Sequence, residues 1–154
     1  MSFRPGVRLA LDWGKARIGV AACDAAGVLA YPVTTVAGGP RTQAELQALV
    51  EEHEPIEVVV GLPTSLRGRE EEAARTIREH ASTLAARIAP TPVRLVDERM
   101  TTVTAARQLH ERGRSSRQQR AVIDQAAAVA ILNHAIESER AGNQPPGQLL
   151  EDDR

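Results

Sequence analysis

The sequence has a single cysteine and only three aromatic residues among its 154 residues. One cysteine excludes an intrachain disulfide and a cysteine-based zinc site, and it is typical of a protein from a reducing compartment. Phe3, Trp13 and Tyr31 are too few for base stacking on aromatic platforms to be the main binding mode. The core must therefore be built from Ala, Val, Leu and Ile, and we expect Cys23, which lies in an apolar run, to belong to it.

Long hydrophobic segments are also lacking. The longest apolar stretch, residues 121–136, is interrupted by an aspartate, two amides and a histidine, and it is too short to span a bilayer. Residues 1–8 contain two arginines and no apolar segment of the kind that directs secretion. We therefore expect a cytoplasmic protein that makes no membrane contact.

The charge of the chain is nearly balanced overall, with a formal net charge of −1, but it is unevenly distributed. Residues 99–120 contain six arginines and one glutamate. Such a basic stripe fits a phosphate backbone. Charge alone favours the simpler interpretation, a solvated helical face, so nucleic-acid binding must be argued from other residues.

Three short apolar runs separated by glycine-containing turns open the chain and predict a β-meander. These runs are residues 7–12, 17–24 and 29–36. Pro32 lies inside the third run and cannot donate a hydrogen bond to a neighbouring strand, so we expect that strand at the edge of the sheet. Two later runs, at residues 56–60 and 92–97, predict a fourth and a fifth strand.

Apolar residues at helical spacing predict four helices. The first begins at Thr42-Gln43-Ala44-Glu45, which is a capping-box pattern, and the second has an apolar face from Ala73 to Ile88. A third is predicted over residues 102–112, and a fourth from Ser116 to about Arg140. The order βββαβαβαα predicts an α/β fold with a mixed five-stranded sheet flanked by helices, in which the later strands join in parallel. We expect one domain over residues 1–140 and a disordered tail over residues 141–154.

Asp12 ends the first predicted strand and is followed by Gly14, with Lys15 and Arg17 just beyond. A carboxylate beside a glycine that lets a ligand approach the backbone is a reasonable cation site close to phosphate. The same pattern also occurs in turns, where an aspartate accepts local N–H groups. Asp-x-Gly alone therefore leaves both interpretations open.

Glu98 ends the fifth predicted strand. If the first and fifth strands lie close together, their carboxyl ends meet at one sheet edge, where open α/β sheets bind ligands. An ion pair with Arg99 is the alternative. Thr101 and Thr102 follow at a helix start, where hydroxyls cap the helix and the N-terminus can also hold a phosphate.

Asp124 is the most informative position, because its neighbours at helical spacing, such as Ala127 and Ile131, are apolar. A carboxylate on such a face is costly to bury unless it is paired, protonated or bound to a metal. The alternative is an i,i+4 ion pair with Arg120, which is worth only about 0.2 to 0.5 kcal/mol on an exposed helix. So weak a partner would not explain the placement.

Three carboxylates, Asp12, Glu98 and Asp124, are thus the candidate catalytic and metal-binding residues. We expect them to hold one or two Mg²⁺ or Mn²⁺ ions, as in two-metal hydrolysis of a phosphodiester. The four histidines lack the spacing of a ligand pair, and phosphate-loop and serine-hydrolase motifs are missing from the sequence. A metal-dependent nuclease is the predicted activity.

Four ordered blocks resemble the signature of the YqgF/RuvX family. They are residues 12–21 (DWGKARIGVA), Gly61-Leu62-Pro63 with Gly68, residues 97–102 (DERMTT) and residues 123–127 (IDQAA). Members are described as pre-16S rRNA nucleases and as Holliday junction resolvase-like proteins. The resemblance covers residues 7–137 and implies an RNase H-like fold, divalent-metal-dependent phosphodiester hydrolysis, and a role in maturing the 5′ end of small-subunit rRNA.

The resemblance also puts the family's acidic positions on Asp12, Glu98 and Asp124. True junction resolvases carry a further carboxylate after the fourth strand, where this chain has Gly61-Leu62-Pro63, so branched DNA is the less favoured substrate. The candidate nucleic-acid-binding residues are Lys15, Arg17, Arg99, Thr101, Thr102, Arg114, Arg117 and Arg120.

Two other functions stay open at this point. One is a non-catalytic nucleic-acid-binding module of the same fold, and the other is a lobe of an actin-like ATPase, whose phosphate loops also have Asp-x-Gly after a first strand. An ATPase of that kind needs two lobes around its nucleotide, and this chain is long enough for one. The expected partners are precursor rRNA, branched DNA as the alternative, and ribosomal particles, with the protein acting as a monomer or a homodimer.

Overall fold

The computed structural model describes residues 3–63, 68–97 and 117–150. Within these ranges the chain forms one mixed sheet and three helices. The strands are β1 (Arg8–Trp13), β2 (Arg17–Cys23), β3 (Ala30–Ala37), β4 (Glu57–Leu62), β5 (Val93–Asp97) and β6 (Gln148–Leu150). The helices are α1 (Thr42–His53), α2 (Gly68–Ile88) and α3 (Arg117–Gly142). The helix predicted over residues 102–112 lies outside the described residues.

The strands are ordered β3-β2-β1-β4-β5-β6 across the sheet. The first three form the predicted antiparallel meander, and β4 and β5 join in parallel, as the intervening helices predict. β3 lies at one edge, and its pairing with β2 is irregular next to Pro32, opposite Val20 and Ala21. The edge position predicted from Pro32 is therefore confirmed.

The last strand, β6, corrects the prediction of a disordered tail and raises the sheet from five strands to six among the described residues. Helix α3 continues to Gly142, and Gln148–Leu150 pair antiparallel with β5. The prolines, glycines and acids of this segment favour disorder, but without β6 the backbone groups along the outer edge of β5 would be unpaired. Leu150 also packs against the core. Residues 151–154 lie outside the described residues.

The two faces of the sheet pack on different helices. Leu9 and Leu11 face a core of large aliphatic side chains completed by α1 and α2. Ala10 and Ala21 face α3, and Cys23 is buried on that side as predicted, where burial raises the pKa of its thiol. Because alanines from both the strands and α3 meet at this interface, the helix can lie close to the sheet.

The start of α1 differs from the predicted capping box. The helix begins at Thr42, but Arg41 is at the N-cap position and no side chain of the described residues caps it. Instead, Thr42 Oγ1 accepts a hydrogen bond from the Gly39 N–H at 2.8 Å and donates one to the Ala37 carbonyl at 2.8 Å. The threonine hydroxyl therefore stabilises the loop between β3 and α1 and does not cap the helix.

A buried ionic cluster holds the C-terminal half of α3 at the amino end of β1. Arg4 donates to Glu139 Oε1 at 2.8 Å and to Glu57 Oε1 at 2.9 Å, and Arg8 lies 3.3 Å from Glu139 Oε1. Burial acts to raise the pKa of Glu139, but the hydrogen bonds from Arg4 and the charge of Arg8 outweigh it and lower that pKa from 4.5 to about 2. The first half of α3 consequently lies over the carboxyl end of β1.

Candidate metal centre and nucleic-acid interface

Asp12 lies near the carboxyl end of β1 and is almost completely buried, with 2% of its surface exposed. In the antiparallel pairing of β1 with β2, Asp12 is directly opposite Gly19. Residues opposite each other in this way project from the same face of a sheet. Asp12 therefore lies on the face covered by α3, the same face as Ala10 and Ala21.

Gly19 is the position that brings α3 down onto this part of the sheet. A Cβ atom on Gly19 would lie less than 3.0 Å from the carbonyl carbon and oxygen of Asp124, a separation that real Cβ atoms essentially never show. Only a glycine allows the helix backbone to approach so closely. Asp124 of α3 therefore lies directly over Gly19, the residue that is paired with Asp12.

A hydrogen bond fixes the helix at the same level of the sheet. Gly19 is paired with Asp12 on one side and with Thr35 of β3 on the other. Gln125, the residue after Asp124, donates from Nε2 to Thr35 Oγ1 at 2.9 Å. The first half of α3 is therefore located by one close backbone contact and one side-chain hydrogen bond, which together place Asp124 at the edge where β1 ends.

In the described part of the chain, Asp124 pairs with Arg17 of β2. Arg17 Nε donates to Asp124 Oδ2 at 2.7 Å, and the two side chains are 26% and 19% exposed. The prediction considered Arg120 as the alternative partner, but the Arg120 side chain lies outside the described residues. Because the pair is only partly buried, its carboxylate and guanidinium are both within reach of ions and phosphates from solution.

The donor set at this edge suits a hard divalent cation. Two carboxylates, Asp12 and Asp124, come from a strand and a helix that meet at Gly19, and carboxylate oxygens are the preferred ligands of Mg²⁺ and Mn²⁺. Glu98, the predicted third carboxylate, lies outside the described residues, one position beyond the end of β5. Among the described residues, no three Asp, Glu, His or Cys side chains are grouped closely enough to hold a metal. The three-carboxylate centre therefore stays a prediction.

The predicted nucleic-acid-binding residues divide into two groups. Lys15 is exposed in the turn between β1 and β2, and Arg17 lies at the start of β2 on the carboxylate edge. Arg117 and Arg120 belong to the first turn of α3, but their side chains lie outside the described residues. The other predicted binding residues lie entirely outside the described residues, and they are Arg99, Thr101, Thr102 and Arg114. The basic stripe as a nucleic-acid-binding surface therefore stays a prediction.

Sequence reasoning missed three residues that build this edge, namely Gly19, Thr35 and Gln125. A signal for Gly19 was available, because a glycine inside a strand often marks a close approach of another backbone. The other two carried no comparable signal, since Thr35 and Gln125 are 90 positions apart and meet only in the folded chain.

The comparison with family models decides the assignment of the chain. The model described as "RuvX: Holliday junction resolvase" matches residues 6–138. The chain belongs to the RuvX family. Relatives of this RuvX-family protein include a protein of Cutibacterium acnes, 58% identical over 137 residues that cover 89% of this chain and 86% of the relative. A second, from Streptomyces coelicolor, is 58% identical over 150 residues, covering 96% of this chain and 90% of the relative. Both relatives carry the name "Putative pre-16S rRNA nuclease".

The fold of the RuvX-family protein also matches a solved structure. RuvC of T. thermophilus in complex with a Holliday junction substrate superposes with a TM-score of 0.59 at 19% sequence identity, covering 92% of this chain and 99% of that chain. At this identity the likeness concerns the fold, and it confirms the predicted RNase H-like architecture. In the described part of the chain, no helix is long and apolar enough to cross a membrane.

Proposed function

We propose that this RuvX-family protein cleaves phosphodiester bonds near the 5′ end of precursor 16S rRNA, using Mg²⁺ or Mn²⁺ held by Asp12, Glu98 and Asp124. The observation that supports it best is the approach of α3 to β2 at Gly19, which brings Asp124 to the strand pair that contains Asp12. Asp12 and Asp124 belong to a strand and a helix that meet near the carboxyl end of β1, and open α/β folds bind ligands at such an edge.

In this proposal, Asp12 and Asp124 would supply oxygen ligands to the ion, and Glu98 would supply a third. When bound, the ions polarise the scissile phosphodiester and favour deprotonation of an attacking water. Because β1 is central in the sheet and Asp12 is buried, its carboxylate has little freedom, which keeps the site rigid during the reaction.

Arg17 has a second role in the proposal. Its guanidinium neutralises Asp124, and a guanidinium binds phosphate with the same paired donors that it offers to a carboxylate. A substrate phosphate next to Asp124 is therefore within reach of Arg17. The side chain would hold the substrate backbone beside the carboxylates, and Lys15 in the adjacent exposed turn would extend this contact.

The substrate class follows from the names of the relatives rather than from the geometry. Curated relatives at more than half identity are named for pre-16S rRNA, whereas the family model is described by junction resolution. We favour the rRNA precursor, because Gly61-Leu62-Pro63 ends β4 without the further carboxylate expected in junction resolvases. Cleavage of branched DNA is the second candidate. A precursor-rRNA substrate would place the protein in the cytoplasm, on immature ribosomal particles.

The test is a cleavage assay with two substrates, a precursor 16S fragment that includes the 5′ flank and a four-way DNA junction. Wild type is expected to cut the RNA with Mg²⁺ or Mn²⁺ and to leave it intact in EDTA, whereas Asp12→Asn and Glu98→Gln are inactive. Asp97→Asn is the matched control for Glu98→Gln, and it should retain activity. Cutting of the junction alone would favour the second candidate, and wild-type rates in Asp12→Asn would refute the site.

A further inference from the structure

The ion pair between Arg17 and Asp124 consists of a single hydrogen bond in the described part of the chain, from Nε to Oδ2 at 2.7 Å. This bond uses one of the five N–H donors of the guanidinium and one of the two oxygens of the carboxylate. Neither group is saturated by the contact. Each can therefore bind a further partner or exchange the present one.

The pair is also accessible from solution. The side chains of Arg17 and Asp124 are 26% and 19% exposed, whereas in the buried ionic cluster the side chains of Glu57 and Glu139 are at most 3% exposed. A buried pair cannot be opened without leaving an uncompensated charge in the core. A partly exposed pair is screened by water and contributes little energy, so its groups exchange readily between partners.

The proposed function requires both members of this pair for other ligands. A divalent cation and the Arg17 guanidinium carry charge of the same sign and use the same carboxylate oxygens of Asp124, so they compete. A phosphate and the Asp124 carboxylate accept the same paired N–H donors of Arg17, so they compete as well. The pair therefore opposes the binding of each ligand when the other is missing.

The alternative role for Arg17 is to orient Asp124 for the cation, as groups next to metal ligands often do. The structure favours competition, because the helix that carries Asp124 is located by other contacts. The α3 backbone packs directly on Gly19, and Gln125 donates to Thr35 Oγ1 at 2.9 Å. These contacts hold Asp124 at the carboxylate edge without the guanidinium.

We infer that the Arg17–Asp124 ion pair couples the binding of the divalent cation to the binding of a phosphodiester backbone. The inference rests on the proposed function for the role of Asp124, but it applies to RNA and DNA alike, because both offer the same phosphate. A phosphate that binds Arg17 releases Asp124, and a cation that binds Asp124 releases Arg17. Each ligand therefore raises the affinity of the protein for the other.

The size of the coupling follows from the exposure of the pair. A partly exposed ion pair forms with an equilibrium constant of roughly 1 to 5. Competition from such a pair divides the affinity of each partner for another ligand by one plus that constant, which is about two- to sixfold. The factor is the same for the cation on Asp124 and for the phosphate on Arg17, because both ligands open one equilibrium.

The first experiment measures Mn²⁺ affinity without nucleic acid, by electron paramagnetic resonance of free Mn²⁺. Arg17→Gln is expected to bind Mn²⁺ about two- to sixfold more tightly than wild type. Arg94→Gln is the matched control, because Arg94 Nε also donates to a carboxylate, Glu57 Oε1 at 3.1 Å, but at the amino ends of β4 and β5. Its Mn²⁺ affinity should equal that of wild type.

The second experiment measures binding of labelled RNA and DNA oligonucleotides of one sequence in EDTA, by fluorescence anisotropy. Asp12→Asn and Asp124→Asn each remove one negative charge from the same edge, but only the second releases Arg17. Asp124→Asn is therefore expected to bind both oligonucleotides about two- to sixfold more tightly than Asp12→Asn. In an Arg17→Gln background the two substitutions should have equal effects. Circular dichroism of each variant shows that it is folded.

Two results would overturn the inference. One is Mn²⁺ affinity in Arg17→Gln that is equal to or weaker than that of wild type, since weaker binding would make Arg17 an orienting group. The other is equal oligonucleotide affinity in Asp124→Asn and Asp12→Asn. The proposed function fails separately, if wild type with Mg²⁺ does not cleave RNA, because both experiments measure binding alone. Failure of wild type to bind Mn²⁺ would refute the metal site and the coupling together.

Discussion

Replacing Gly19 with alanine tests the contact that builds the candidate site. The new Cβ would lie less than 3.0 Å from the carbonyl of Asp124 and 3.0 Å from the Gln125 nitrogen, and both are backbone atoms of α3. Because helix backbone cannot yield locally as the end of a flexible side chain can, α3 must move away from the sheet. We expect a loss of about 1 to 3 kcal/mol in the free energy of unfolding, as for other overpacked cores.

The same displacement separates Asp124 from Asp12. A shift of roughly an ångström in a catalytic group can cost on the order of 10²-fold in rate, so Gly19→Ala should lose cleavage far beyond its loss of stability. Gly142→Ala is the matched control, because its Cβ would lie 3.7 Å from the Gln144 Cγ, an ordinary contact, at the other end of α3. Thermal melts and cleavage rates of the three proteins provide the comparison. Wild-type stability and activity in Gly19→Ala would refute the close approach of α3.

Three further predictions concern charge. Asp124→Asn should lower the free energy of unfolding by about 1 to 2 kcal/mol in EDTA, because Arg17 loses its charged partner at 2.7 Å. A melting temperature of the variant above that of wild type would contradict the stabilising ion pair. Glu139, whose pKa is lowered to about 2, should contribute up to about 3 kcal/mol of stability that is present above pH 4.5 and lost as the pH falls towards 2. Denaturant unfolding at pH 7 and pH 3 should show a smaller pH dependence in Glu139→Gln than in wild type. Replacing Arg114 and Arg117 with alanine should reduce the slope of log affinity for RNA against log salt concentration, by about one for each phosphate that the variant no longer binds. An unchanged slope would mean that these arginines are a solvated surface.

The central strands could be predicted because their patterns are strong and local. The β-branched run of β4 and the short apolar runs of β1 and β2 each predict a strand, and the helices between β3 and β5 imply parallel crossovers. Strand β6 could not be predicted in the same way. Three residues have no measurable period, and their conformation is determined by the unpaired edge of β5.

The sequence indicated candidate carboxylates for the site but not the contacts that Asp124 makes. The position of Asp124 on an apolar helix face indicated a partner in the fold, yet that partner, Arg17, is 107 residues away in the chain. The concave surface between the β1–β2 turn, the β3–α1 loop and helices α1 and α2 likewise had no sequence signal, because its lining comes from distant parts of the chain. Contacts of this kind depend on the relative placement of elements, which periodicity and capping patterns do not encode.

The central claim, that Asp12 helps to hold a divalent ion, is tested most directly by titrating the protein with Mn²⁺ and following free Mn²⁺ by electron paramagnetic resonance. Wild type and the control Asp97→Asn should bind the ion with the same stoichiometry, and Asp12→Asn should lose most of that binding while keeping its fold by circular dichroism. Mn²⁺ binding by Asp12→Asn equal to that of wild type would contradict the account.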